Sequence, residues 1–252
     1  MNKYAAAYNK TIVEAFDLIN QEYDTTISQA ADLMVASIER DELIHVFGTG
    51  GHSTMGAMEV FWRAGSLAPT NPLLDASLLP SNGALHSNWM ERTEGLAANI
   101  MHSYEVKQGE TLIIVNAYGI NPVTIDAALT AKELGVKTIG VTSTGFANSV
   151  PRDARMRHSS GKNLHELVDV FVDCHLPLGD AAVAFDGFNQ KVGPTSTILN
   201  SYCLNLLVVA TVEKLLAKNI EPPVWMSANL PEGDAANKKW HKKYNERIKH
   251  LR

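Results

Sequence analysis

"HVFGTGGHSTMGAMEVFWRAG", residues 45–65, runs apolar up to Gly48, small and polar through a turn, and then sets Met55, Met58, Phe61 and Trp62 at helical spacing. A strand that feeds a helix through glycines aims backbone N–H groups at an anion. Two common versions of that device fail here. The dinucleotide fingerprint needs glycines at the first, third and sixth places and an acid about 20 residues on. Its sixth place is Ser53, and "SLAPTNPLL" at 66–74 carries no acid. No Gly-Lys-Ser/Thr follows, so there is no P-loop. What survives is a short turn in which Gly50, Gly51, His52 and Ser53 face a negatively charged group.

The helix after the turn is apolar nearly all round, yet His52, Gly56, Glu59 and Arg63 fall at spacings of four, three and four, one narrow stripe. Glu59 and Arg63 are either an i,i+4 pair on a solvated face, or Glu59 is a catalytic base with Gly56 leaving open space beside it.

Composition excludes several classes. With 252 residues and 45% hydrophobic content the chain buries a core, and the formal charge of −5 argues against bulk nucleic-acid affinity. The N-terminus has no apolar h-region, and no run of about 18 apolar residues occurs, which predicts a cytoplasmic protein that does not enter a membrane. Cys174 and Cys203 follow no metal spacing, and Cys203 sits in an apolar helical run as a buried thiol. His165-Glu166 continues without a second histidine four residues on, so neither metal nor cofactor is expected. "KKWHKKYNERIKHLR" at the C-terminus reads as a solvated, partly helical tail.

Helical periodicity over 4–39 predicts one long helix or a helical pair. Alternation follows: strand 43–48, helix 52–64, a Pro/Asn-rich connection 69–88, helix 89–106, strand 111–116, helix 122–134, strand 137–142, strand 168–173 and helix 194–218. Strands alternating with long helices imply right-handed crossovers and a doubly wound parallel sheet, whose ligands collect beyond the carboxyl ends of the strands. The predicted organisation is a helical arm at 1–40 and one α/β domain at 41–252 with a C-terminal helical tail.

Two more turns belong to that sheet edge. In "LIIVNAYGINPVTIDAA", Asn116 ends a strand, Gly119 permits the turn and Asn121-Pro122 opens a helix. "IGVTSTG" at 139–145 again ends a strand in hydroxyls, Ser143 among them. The segment "SVPRDARMRHSSGK" at 149–162 then sets Arg152, Arg155, Arg157, His158 and Lys162 against the single acid Asp153, a composition suited to capturing an anion or to a solvated loop. "LHSNWMERTEG" offers Glu91 and Glu94. Glu94 interrupts the stripe Met90, Ala97, Met101, so it is expected to point inward with a raised pKa if that helix packs on the sheet. His86, at the end of the long connection, is a candidate acid–base group.

"FGTGGHS" at 47–53, a second turn about 70 residues on, and "VTS" at 141–143 resemble the SIS (sugar isomerase) domain family. "FWRAGSLAPTNPLL", "SSGKNLHELVDVFVD", "LGDAAV", "QKVGPTSTILN" and "KNIEPPVWMSAN" are similar, over about residues 8–247, to a bacterial branch of single-domain SIS proteins. The resemblance implies a three-layer sandwich around a five-stranded parallel sheet, and homodimers or homotetramers formed partly by the N-terminal helices. It also implies a sugar-phosphate site completed by a neighbouring subunit. Aldose–ketose isomerisation needs a base, donors for the enediolate oxygens and a ring-opening group, for which His86 is the candidate. The resemblance implies Glu59 and a second acid on the helix after the long connection, Glu91 or Glu94 with Glu94 the one expected inward, for proton transfer. "HSSGK" is similar to a signature of the branch and implies binding roles for His158, Ser160 and Lys162. Ether cleavage by elimination and hydration, and a non-catalytic sugar-phosphate-binding regulator, are the alternatives. One departure stands out. The usual Ser-x-Ser-Gly-x-Ser/Thr at the second turn reads Asn116-Ala117-Tyr118-Gly119-Ile120-Asn121, which implies a different anionic group or none.

Overall fold

In the computed structural model, which describes residues 2–252, the strand of the opening motif is β1, Ile44–Gly48, buried along its whole length. It is flanked by β2 (Thr70–Pro72) and β3 (Thr111–Val115), followed outward by β4 (Lys137–Thr142) and β5 (Val170–Asp173). The order is β2-β1-β3-β4-β5, and every pair is parallel. β3, "TLIIV", is apolar after its first residue because both faces are covered. Ile113 and Val115 point to one face and Leu112 and Ile114 to the other.

The first face is covered by α1 (Lys3–Asn20), α2 (Ser28–Glu39), α3 (Ser53–Glu59) and α8 (Ser196–Ala217). A turn of π-helix, Tyr23–Ile27, joins α1 to α2, so the arm is a pair; its first residue lies outside the described ones. On the second face lie α5 (Leu96–Ser103) and α6 (Pro122–Leu134). α4 (Ala84–Met90) precedes them, and α7 (Thr144–Ser149) follows β4. This is a doubly wound three-layer α/β sandwich with the five-stranded parallel sheet expected.

Local chemistry explains where the elements end. α6 starts with Pro122 at its first position and stops at Gly135, whose φ is +70°. The helix expected over 89–106 is two helices, because Thr93-Glu94-Gly95 breaks it and Gly95 takes a φ of +83°. β2 lies inside the Pro/Asn-rich connection expected over 69–88, and an antiparallel hairpin, β6 (Ala181–Phe185) and β7 (Phe188–Pro194), has no counterpart among the expected elements. α1 clasps that hairpin: Tyr4 stacks on Phe185 at 4.1 Å, and the Tyr8 hydroxyl donates to the Pro194 carbonyl at 2.8 Å.

The C-terminal tail forms α9 (Gly233–Tyr244), but it is not simply solvated. Tyr244 and Ile248 are buried with Leu43, Ala68 and Trp225. α8 is long and apolar enough to cross a membrane by length and composition, yet half of that stretch is buried in the fold as its central helix. Both cysteines are free and buried, and burial pushes both thiols up.

Candidate functional site

The strand order reverses between β1 and β3, and a crevice opens there beyond their carboxyl ends. At the end of β1 the chain doubles back so tightly that a β-carbon on Gly48 would stand 2.2 Å from the Ser53 carbonyl oxygen. At the end of β3 the Asn116 side-chain oxygen accepts from the Tyr118 and Gly119 N–H groups at 3.0 and 3.1 Å. Gly119, at a φ of +65° and packed against Thr142, is what lets this turn close. The two turns place Gly50, Gly51, His52, Ser53, Asn116 and Tyr118 around one cleft of about 70 Å³, completed by Glu91, Ala117, Asp180 and Ser196.

Glu91 is the C-cap of α4, and its carbonyl accepts from Val123 N–H at the start of α6. Its carboxylate lies over Gly50, where a β-carbon would meet it at 2.8 Å. Burial lifts this carboxyl above the usual glutamate range, opposed in part by the Asn116 amide, the Arg92 charge and the Gly51 N–H.

Across the cleft, Asp180 accepts from the Thr195 and Ser196 N–H groups at 2.8 and 2.7 Å, filling the N-terminal end of α8 with a protein carboxylate. Its other oxygen takes the Ser196 hydroxyl at 3.0 Å and the Tyr118 hydroxyl at 3.5 Å. Burial and the charges of Asp180 and Glu91 push the Tyr118 phenol up to about 12. No Lys or Arg lines the cleft among the described residues.

The remaining expected residues stand elsewhere. Glu59 is half-buried beside α3's end and pairs with Arg63 at 3.4 Å, the i,i+4 arrangement. The open space expected beside Gly56 is filled, since a β-carbon there would meet Leu204 at 3.1 Å. Glu94 does not point inward: it is exposed between α4 and α5 and accepts from the Ser159 N–H and hydroxyl at 2.7 and 3.0 Å, which lower its pKa rather than raise it. His86 is exposed on α4 and outside the cleft. Asn121 is buried behind the second turn, reaching the Met156 carbonyl at 3.4 Å. Ser143 is spent as the N-cap of α7.

Two arginines of the basic segment are also already engaged. Arg157 is buried and donates to the Ala147, Val150 and Pro151 carbonyls and to Asn163. Arg152 pairs with Glu166. His158 bridges Asp126 at 3.1 Å and the Ser160 hydroxyl at 2.8 Å, while Lys162 is exposed. His158, Ser160 and Glu94 thus come together, but on the outer side of the second turn rather than in the cleft.

Asp180 and Ser196 escaped the sequence reading. Thr195-Ser196 before a long apolar run is a helix-start signal. The pairing with an acid 15 residues upstream through a hairpin has no local signature.

This fold and site define a class: the SIS domain family matches residues 7–143, and the chain belongs to it. Full-length relatives include a UPF0309 protein of Geobacillus kaustophilus, 34% identical over 96% of this chain and 94% of its own. Another, from Caldanaerobacter subterraneus, is 37% identical over 97% and 98%. Among solved structures, the phosphoheptose isomerase of Neisseria gonorrhoeae superposes with a TM-score of 0.53 at 17% identity, covering 84% of this chain and 96% of that one. The enzyme of the same name from Francisella tularensis gives 0.52 at 16%, covering 83% and 96%. At those identities the likeness is one of fold.

Proposed function

We propose that the chain is a sugar isomerase that shifts a carbonyl between adjacent carbons through an enediol, with Glu91 as its base. The observation that carries this reading is one half-buried carboxylate of raised pKa, held against Gly50 at the β1/β3 crevice. A base acting near neutrality gains from a pKa lifted toward the working pH. Glu91 would take the proton from the carbon beside the carbonyl of the open-chain sugar. The C–H electron pair becomes the enediol double bond while the carbonyl oxygen takes a proton from a donor at the cleft wall, where His52, Ser53 and Ser196 stand. Release of a hydroxyl proton and return of the Glu91 proton to the neighbouring carbon complete the shift.

The anionic substrate expected from the sequence is refined by the charges in place. Glu91 already faces the Gly51 N–H and Asp180 already fills the start of α8, so a phosphate in the cleft would meet two like charges and no cation. This supports an uncharged reacting end in the cleft, with any acidic group of the sugar lying outside it. Ether cleavage by a pair of acids fits less well, because Asp180 is engaged at both oxygens. A cleft of about 70 Å³ holds the reacting atoms but not a whole sugar, which supports completion of the site by a second copy. The arm at 1–40, with Val13 and Leu18 exposed on α1, is proposed to make that dimer or tetramer.

Glu91→Gln tests the reading. Turnover of a responsive sugar is expected to fall by about 10² to 10⁴ with calorimetric binding retained, and Glu94→Gln to leave it unchanged. Full turnover in Glu91→Gln removes Glu91 from the mechanism.

A further inference from the structure

We propose a second binding site, independent of the cleft, that takes a monosaccharide ring carrying an acidic group. It is the pocket of about 340 Å³ at the other end of α3, between Trp62, Arg63 and the loop from Trp225 to Asn229. Residues 50–53 of the cleft precede α3, whereas Trp62 lies three residues beyond its last residue, and the two cavities share no lining residue.

Two indoles build the pocket's apolar corner. Trp62 and Trp225 meet edge to face, 4.5 Å between centroids at 66°, and His241 backs Trp62 at 4.7 Å. Trp62 is nonetheless 45% exposed and holds a φ of +55°. A bulky aromatic in the left-handed region, with much of its surface left to solvent, is a costly arrangement for packing alone. Trp225, by contrast, is fixed: its N–H donates to the Ser66 carbonyl at 3.0 Å, and its carbonyl accepts from Gly65 at 2.8 Å. The opposite wall is preformed as well, because the Asn237 amide holds both the N–H and the carbonyl of Met226, at 2.9 and 2.8 Å.

The polar groups decide the ligand class. The Arg63 side chain is 61% exposed and pairs with Glu59 through Nη2 at 3.4 Å, beyond close hydrogen-bond contact, which leaves the rest of its guanidinium fork to take a carboxylate or phosphate. Ser227 and Asn229 line the wall and can meet hydroxyls. A rigid aromatic corner with a few placed polar groups suits a ring that has an apolar face and a polar edge. Two tryptophans at an angle would also suit an organic cation, but Arg63 repels one.

Indole N–H signals of the ¹⁵N-labelled protein, titrated with glucuronate, glucose 6-phosphate, glucose and tetramethylammonium, test the proposal. The four tryptophans are assigned by single substitutions. Glucuronate and glucose 6-phosphate are expected to move Trp62 and Trp225 while Trp89 and Trp240 stay still. Trp62→Gly is expected to abolish the Trp225 response without loss of thermal stability, since glycine accepts the positive φ. Arg63→Gln is expected to weaken the acidic sugars about tenfold, to the level of glucose. The proposal is overturned if neither acidic sugar moves Trp62 and Trp225, if Trp62→Gly binds as the parent does, if Arg63→Gln keeps the preference for acids, or if tetramethylammonium is the preferred ligand.

Discussion

The Glu91 carboxylate rests on the α-carbon of Gly50, in the space where any other residue would carry its β-carbon, with only 2.8 Å available. The glycine at 50 therefore makes room for an acid rather than for an external anion. Gly48, two residues earlier, serves the backbone instead, because its missing β-carbon would stand 2.2 Å from the Ser53 carbonyl oxygen.

Gly50→Ala and Gly48→Ala separate these roles. A side-chain carboxylate can swing away, so Gly50→Ala is expected to keep stability within about 1 kcal/mol while turnover falls with the displacement of Glu91. Gly48→Ala presses on backbone and is expected to cost about 3 kcal/mol. Chemical denaturation beside a turnover assay reads both. Equal destabilisation by the two substitutions contradicts the assignment.

Glu91 also predicts a pH signature in stability. Its pKa is raised on folding by burial, so the folded state favours the protonated acid. That contribution is full below the unfolded value of about 4.3 and is lost as pH rises through the higher folded value. Glu91→Gln should therefore melt above the parent at neutral pH, with the gap closing below about pH 4. A parent that is the more stable of the two at pH 7 contradicts the burial argument.

The arm is tied to the sheet by a titrating pair, Glu22 and His175. His175, just beyond β5, meets Glu22 at 3.0 Å, and the π-turn that follows Glu22 adds the Thr26 hydroxyl at 2.6 Å. The bond to Glu22 raises the imidazole. Burial alone would raise Glu22, but His175, Thr26 and the Asp173 N–H together bring it below its usual range. The histidine's contribution is complete below about 6.5 and lost above its raised folded pKa. The glutamate's is complete above about 4.3 and lost as pH falls through its lowered value. The pair thus contributes most between about pH 4.3 and 6.5. His175→Gln is expected to cost about 1 kcal/mol at pH 5.5 and much less at pH 9, measured by denaturation across pH. A pH-independent difference contradicts the latch.

Periodicity and punctuation made much of the fold legible. α6 and β4 fall on the expected 122–134 and 137–142 because Pro122, Gly135 and two apolar runs mark them. β2 did not show, since "TNP" is short and reads as turn chemistry, and its strand character comes from pairing with β1. The hairpin at 181–194 did not show either, being mostly exposed and stabilised by α1 from far along the chain. At the site, the glycine turn and the Asn116 turn were readable from strand-to-helix grammar. The acid was not. Treating 89–106 as one helix turned Glu94 inward, whereas the break before Gly95 puts Glu94 on the surface and leaves Glu91 at the end of α4. The basic loop misled for a related reason: charges that look free along the chain, Arg152 and Arg157, find partners 14 and six residues away.

Proton abstraction by Glu91 is the centre of this account, and solvent exchange reads it directly. The parent protein and Glu91→Gln are incubated in deuterated water with four- to seven-carbon sugars, unmodified, phosphorylated or sulfonated, and followed by NMR at the carbon beside the carbonyl. Deuterium uptake is expected with the parent, on a sugar whose reacting end is uncharged, and none with Glu91→Gln. Uptake that persists in Glu91→Gln, or silence from the parent on a sugar it binds, contradicts proton abstraction by Glu91.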